Sequence, residues 1–161
     1  MANIILGEDG PKAYFLAGEL GGEWLNILGL IIVVLLLVPN IIYAVRNRNQ
    51  SNRCTNIFMN IAEQIGRYAC MFLMVFTEFW YKSTGAFVIY IFGNAILMCA
   101  YWVIWILYFR QQTWFKQIGL ALIPAFIFLL SGITMRHYLL VVFAVLFGIS
   151  HFYVASKNKC Y

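Results

Sequence analysis

Charged residues are scarce in this sequence. They make up 11% of its 161 residues, whereas hydrophobic residues account for 63% and aromatic residues for 18%. Soluble globular domains carry about 25% charged residues, which keep their surfaces hydrated. The composition therefore excludes an ordinary soluble domain and predicts a protein embedded in a lipid bilayer.

The residue patterns of common metal and hydrolase sites are also missing. The sequence has no HExxH or GxSxG motif and no CxxC pair, and its four cysteines stand singly along the chain. Its two histidines, His137 and His151, fall on opposite sides of the membrane predicted below. Because such patterns supply the nucleophile, base or metal of many enzymes, we favour a function other than catalysis and expect no cofactor.

Acidic residues are concentrated at the start of the chain. Four of the six lie within residues 1–23, which also contain five glycines. The segment has neither the basic start nor the apolar core of a secretory signal. We predict an acidic N-terminal segment there, within a chain that forms a single transmembrane domain over residues 1–161.

Five apolar runs account for most of the remaining residues. A helix needs ~20 apolar residues to cross the ~30 Å hydrocarbon core of a bilayer, so little length is left for a separate soluble domain. The runs predict an all-α integral membrane protein, a bundle of about five transmembrane helices. We place these helices at about residues 24–45, 57–78, 86–109, 118–134 and 138–155.

Basic residues lie mainly between these runs and are distributed unequally between the two sides. With the N-terminus outside, seven lysines and arginines fall on the cytoplasmic side and three on the outer side. Cytoplasmic loops of membrane proteins carry this excess of positive charge. The asymmetry predicts an outer N-terminus and a cytoplasmic C-terminus, in the cell membrane if the source is bacterial. The same asymmetry also explains the net charge of +5. We therefore expect the lipid bilayer, and no nucleic acid, as the partner of this chain.

The second apolar run carries an acid and a base in its interior. Glu63 and Arg67 are four residues apart with the acid first, the order that favours a salt bridge within a helix. A charge at mid-membrane costs roughly 2.5–3.5 kcal/mol, so charged residues there face other helices or a water-filled cavity. Helical spacing places Asn60 and Gln64 on the same face. We predict that this helix is central and that its polar face points inward.

Polar residues of other runs are predicted to approach that face. At a rise of ~1.5 Å per residue, Asn40 and His151 lie in the same inner half of the membrane as Glu63. On the same count, Asn94 reaches the depth of Arg67. The predicted binding residues for a small solute or ion are Glu63, Arg67, Asn60, Gln64, Asn40, Asn94 and His151.

Such a layer of polar residues is compatible with three functions. The leading prediction is a transporter, channel or ligand-binding unit for a small solute or ion, with Glu63 as its titratable or charge-selecting group. Five short helices rarely enclose a path alone, so a homo-oligomer or a partner membrane subunit is then expected. In the alternative, the polar residues only join helices, and the protein is an accessory or assembly subunit that binds another membrane protein. A lipid-modifying membrane enzyme with Glu63 or His151 as base is the second alternative.

Overall fold

The computed structural model describes residues 25–47, 54–77 and 84–158, which form five α-helices and no strand. The helices are α1 (Ile27–Arg46), α2 (Ile57–Val75), α3 (Thr84–Arg110), α4 (Trp114–Thr134) and α5 (Tyr138–Lys157). The predicted all-helical fold is confirmed, and each helix corresponds to one predicted apolar run. The acidic segment predicted for residues 1–23 lies outside the described residues.

Helix ends are set by polar side chains that hydropathy alone does not locate. Asn26 Oδ1 accepts the Gly29 N–H at 2.9 Å before α1, and Asn56 Oδ1 accepts the Met59 N–H at 3.2 Å before α2. Such N-caps satisfy backbone donors that have no partner within the helix. α4 begins at Trp114, four residues before the predicted bound, because its backbone hydrogen bonds extend into the polar loop.

Four of the five described helices, namely α1, α3, α4 and α5, are long and apolar enough to cross a membrane. α2 is not among them. It has 19 residues, and Glu63 and Arg67 together with two amide side chains lower its hydropathy. The composition therefore supports four spans, and α2 falls short of them because these polar residues lower its mean hydropathy.

The helices pack in an order that differs from their order in the chain. α2 packs extensively on α5, α5 on α4 and α4 on α3, whereas α1 makes fewer contacts, with α2 and α3. The prediction that α2 is central is wrong, since α4 and α5 each have two extensive neighbours and α2 has one. Small buried residues of α4, among them Ala121, Ala125 and Gly132, allow this close packing on both sides.

Contacts between helix ends show that successive helices run in opposite directions. The Asn26 N–H, before α1, donates to the Val75 carbonyl at the end of α2 at 2.8 Å. Asn26 Nδ2 also lies 3.6 Å from the Met135 sulfur, just after α4. At the opposite end, Gln117 of α4 donates to the carbonyl of Ala155 in α5 at 3.3 Å and to that of Asn158, just after α5, at 2.7 Å. We call these the Asn26 end and the Gln117 end.

α1 is attached to its neighbours near both ends. At the Asn26 end, a Cβ on Gly29 would lie 2.3 Å from the Met74 carbonyl oxygen of α2, so only glycine fits there. Toward the Gln117 end, the Tyr43 ring meets Trp105 and Tyr108 of α3 at centroid distances of 5.4 and 5.7 Å. Aromatic pairs at such distances add to the stability gained from burial.

Candidate functional site

Glu63 lies on the buried face of α2. The buried residues of this helix recur at short helical steps and are Ala62, Glu63, Gly66, Cys70, Met74 and Val75. The opposite face exposes large apolar side chains, including Ile61 and Phe72. Because a buried carboxylate is costly unless it is paired, Glu63 requires partners inside the protein.

Two side chains share one oxygen of the Glu63 carboxylate. Arg67 Nη2, one turn along α2, donates a hydrogen bond to Oε1. His151 Nδ1, from α5, lies 3.1 Å from the same oxygen. Since an ionised carboxylate can only accept, the His151 Nδ1–H is the donor in this contact. The Nε2 atom makes no hydrogen bond to any described residue.

Phe147 supports this cluster from α5. Its ring stacks on the His151 imidazole, with centroids 4.9 Å apart and planes 15° apart. Arg67 Cζ lies 5.9 Å from the Phe147 ring centroid, within range of a cation–π interaction. Phe128 of α4 meets the same ring edge-on at 6.0 Å. Phe147 therefore holds both partners of Glu63 in position.

Gly66 allows α2 and α5 to approach closely at this point. A Cβ on Gly66 would lie 3.0 Å from the Cα, Cβ and N atoms of Phe147. Those contacts are tighter than ordinary van der Waals packing, and two of the three atoms belong to the backbone. The short distance between the helices brings the Glu63 carboxylate within reach of His151.

The three side chains of the cluster differ in exposure. The Glu63 side chain is 7% exposed, whereas that of Arg67 is 32% exposed and that of His151 is 23% exposed. The two partners of the carboxylate are thus partly exposed, and the carboxylate side chain is buried. Such an arrangement suits an anion or another hydrogen-bond acceptor better than a cation.

Few other charges lie near the cluster. Glu63 is the only acidic residue in the described ranges. α4, the other helix packed on α5, contains one charged residue, Lys116, whose Nζ donates to the Leu107 and Gln111 carbonyls at 3.2 and 2.9 Å. On α5 itself, Lys157 Nζ lies 5.6 Å from the Tyr153 ring centroid. With His151 neutral, Glu63 and Arg67 therefore balance each other.

Asn94 lies at a different helix interface. Its Nδ2 donates to the Tyr90 carbonyl at 2.9 Å and to Ser131 Oγ of α4 at 3.2 Å. Ser131 in turn donates to the Ile127 carbonyl at 2.7 Å. Asn94 and Ser131 are both buried, so their hydrogen bonds join α3 to α4 rather than contributing to the Glu63 cluster.

Asn40 and Asn60 also bind elsewhere. Asn40 Nδ2 donates to the Leu36 carbonyl and to the Tyr101 hydroxyl, both at 2.9 Å, and so connects α1 to α3. Asn60 Nδ2 donates to the Cys54 carbonyl at 3.0 Å and holds the segment before α2. The predicted layer of polar residues is thus divided among separate contacts.

The side chain of Gln64 points away from the interior of the bundle, whereas the helical spacing predicts that it points inward. Its side chain is exposed and makes no hydrogen bond to any described residue. The preceding residue, Glu63, points toward α5, and one residue corresponds to a turn of about 100° around a helix axis. Gln64 therefore lies beyond the edge of the buried face, outside the cluster with His151.

Phe147 and Gly66 were missed by reasoning from the sequence. Phe147 precedes His151 by four residues, so its position on the same helix face could be predicted from the sequence. Its contact with Gly66 was not, because nothing in a single sequence indicates which two helices pack together. No group of three or more His, Cys, Asp or Glu residues in the described ranges could hold a metal ion.

Comparison of the chain with models of protein families, with curated proteins and with solved structures finds no match.

Proposed function

We propose that this chain is an integral membrane protein that binds a small solute or ion at the cluster of Glu63, Arg67 and His151. The observation that carries the proposal is the division of this cluster into a buried carboxylate and two partly exposed partners. Residues that only join helices have their polar atoms satisfied within the protein. In the cluster, His151 Nε2 has no hydrogen-bonding partner among the described residues.

In the proposed topology, all five helices cross the bilayer and the Gln117 end is cytoplasmic. α2 crosses beside α5, where its charges are paired as intramembrane charges must be. The described basic residues near the Gln117 end are Arg46, Arg110, Lys116 and Lys157, against Arg136 near the Asn26 end. This excess of positive charge supports the proposed orientation.

The site lies close to the cytoplasmic surface in this topology. Glu63 is six residues after the start of α2, which corresponds to roughly 9 Å along the helix axis. A ligand from the cytoplasm therefore reaches Arg67 and His151 without crossing the whole membrane. A transporter would also need a route from this site to the Asn26 end.

Protonation of His151 would change the charge of the site. Histidine is the side chain that changes charge between about pH 5 and 8, and Glu63 directs the incoming proton to Nε2. The cluster then changes from net neutral to a net charge of +1. In surroundings of low dielectric constant, one positive charge attracts an anion more strongly than it does in water. The proposed ligand is therefore a small anion that binds together with a proton.

Histidine NMR in lipid nanodiscs tests this proposal. The ¹⁵N signals of His151 are followed from pH 5 to 8 without added anion and then with chloride, acetate or inorganic phosphate. An anion that binds beside the imidazole changes the His151 ¹⁵N signals, and Glu63→Gln, which leaves the Arg67 charge uncompensated, should increase this effect. His151 signals that none of the three anions changes contradict the proposal.

The second histidine provides a matched control. His137 Nδ1 accepts the Leu140 N–H at 3.1 Å and caps α5 at the Asn26 end, away from the cluster. Asparagine is also a good N-cap, so His137→Asn leaves His151 as the single histidine signal. The His151 signals of this variant should respond to anions as those of the parent protein do.

The accessory-subunit function is the second candidate, and the Asn94–Ser131 contact favours it. Both residues are buried and hydrogen-bonded within the chain, as expected of residues that only hold helices together. If the Glu63 cluster served the same purpose, the His151 ¹⁵N signals would not change when anions are added.

A further inference from the structure

The outward face of α2 has the residue pattern of a helix–helix contact. Its exposed side chains follow one another at steps of three and four residues, and we call this set the Gln64 stripe: Ile57, Ile61, Gln64, Tyr68 and Phe72. Steps of three and four are typical of the seam between two helices that pack along their length. The stripe lies on the side of α2 away from α5, its main partner.

Two polar groups in the Gln64 stripe, the Gln64 amide and the Tyr68 hydroxyl, make no hydrogen bond to any described residue. Gln64 lies about 10 Å along α2 from the start of the helix, on the face that would meet lipid chains if α2 crosses the bilayer. Lipid chains offer no hydrogen bond to an amide, so contact with lipid alone is unfavourable.

We propose that a second copy of this chain covers the Gln64 stripe, with α2 packed against α2. Two copies inserted in the same orientation are related by a two-fold axis along the membrane normal, so residues at equal depth meet each other. Gln64 of one copy then meets Gln64 of the other. An amide has both a donor and an acceptor, so this contact is complementary to itself, as a two-fold interface requires.

The apolar members of the stripe fit the same arrangement. Ile61 and Tyr68 flank Gln64 by one turn on each side and are 53% and 66% exposed. They would pack around the paired amides, and a single polar residue in such a seam selects the register of the two helices. This proposal depends on membrane insertion of α2 and does not depend on the anion proposed above.

Thiol cross-linking in lipid vesicles tests the position of the interface. The native cysteines are replaced, and single cysteines are placed at Ile61 or at Ile149. Ile149 is the matched control because it is 61% exposed on α5 and lies at similar depth, between Phe147 and His151. Mild oxidation should join Ile61→Cys chains into dimers and leave Ile149→Cys chains monomeric. Equal cross-linking at both positions would indicate random collision and overturn the proposal.

The monomer–dimer equilibrium tests the role of the amide. It is measured on purified, fluorescently labelled protein in vesicles over a range of protein-to-lipid ratios. Gln64→Leu should weaken dimerisation by about 3- to 30-fold, the effect of losing one interhelical hydrogen bond, while Gln64→Asn should retain part of the affinity. A parent protein that stays monomeric at the highest ratio, or a Gln64→Leu variant that dimerises as tightly, contradicts the proposal. Neither result would alter the response of the His151 ¹⁵N signals to anions.

Discussion

At the scale of single residues, the main feature is a buried carboxylate with partners of two kinds. Arg67 follows Glu63 by four residues on the same helix, so its contact is a consequence of helix geometry. His151 is 88 residues away in the chain and reaches Glu63 only through the packing of α5 on α2. The first contact compensates the charge of the buried carboxylate, and the second joins it to α5.

Removing Arg67 should leave Glu63 without its main compensating charge. We expect Arg67→Leu to lower the free energy of unfolding by about 2–4 kcal/mol. This loss is smaller than the loss on breaking some fully buried ion pairs, because Arg67 is partly exposed. Arg110→Leu, at an exposed position at the end of α3, should change it by less than about 0.5 kcal/mol. Reversible unfolding in mixed micelles measures both variants.

The same experiment separates loss of charge from loss of packing. Adding Glu63→Gln to Arg67→Leu removes the uncompensated carboxylate and should restore part of the lost stability. If the double variant is less stable than Arg67→Leu alone, the effect of Arg67 comes from its contact with Phe147 rather than from its charge.

At the scale of helices, the distance between α2 and α5 controls the site. Gly66 lies against the Phe147 backbone, and Phe147 stacks on His151. A wider gap would move the imidazole away from Glu63 while leaving both helices intact. The α3–α4 interface has no such dependence, because Asn94 and Ser131 meet through side chains and each also binds its own helix.

An added methyl group at Gly66 should therefore act on the interface. We expect Gly66→Ala to destabilise the protein by about 1–3 kcal/mol, as overpacking does, and to weaken the Glu63–His151 hydrogen bond. Gly119→Ala is the matched control because its Cβ would meet only the flexible Ile104 side chain, at 3.3 Å. It should be neutral, or stabilising by less than about 1 kcal/mol because alanine favours helix.

Thermal unfolding of the two alanine variants gives the stability difference, and the His151 ¹⁵N signal reports the hydrogen bond. Variants of equal stability with an unchanged His151 signal would mean that α2 and α5 can separate slightly without cost, and the role assigned to Gly66 would be wrong.

At the scale of the whole molecule, charge is distributed between the two ends of an antiparallel bundle. The described basic residues lie mostly at the Gln117 end, and the Glu63 cluster lies in the half of the bundle nearest to it. A cytoplasmic Gln117 end would place the ligand site on the cytoplasmic side. The orientation of the bundle therefore also defines the compartment from which the proposed anion binds.

Single cysteines at the two ends test this orientation. Thr84, at the start of α3, and Gln112, between α3 and α4, are both exposed and polar. We expect a membrane-impermeant maleimide to label Thr84→Cys in intact cells, and Gln112→Cys only after the membrane is opened. The reverse pattern would invert the topology and move the site to the outer side.

The helices and the Glu63–Arg67 pair could be predicted from local patterns in the sequence. An apolar run of sufficient length forms a helix wherever it lies, and a spacing of four residues brings two side chains together on any helix. The presence of five helices, their approximate bounds and the inward direction of Glu63 follow from such short-range rules. The outward direction of Ile61 and Phe72 has the same origin.

Packing between helices determined which helices are neighbours and which polar residues meet. Asn94, Asn40 and His151 lie at suitable depths for a common site, yet only His151 reaches Glu63, because depth depends on chain position whereas contact also depends on rotation and neighbours. Small residues at a few points, such as Gly66, select which helices approach closely. These packing contacts form between segments far apart in the chain. They also place Gln64 on the outside of the bundle.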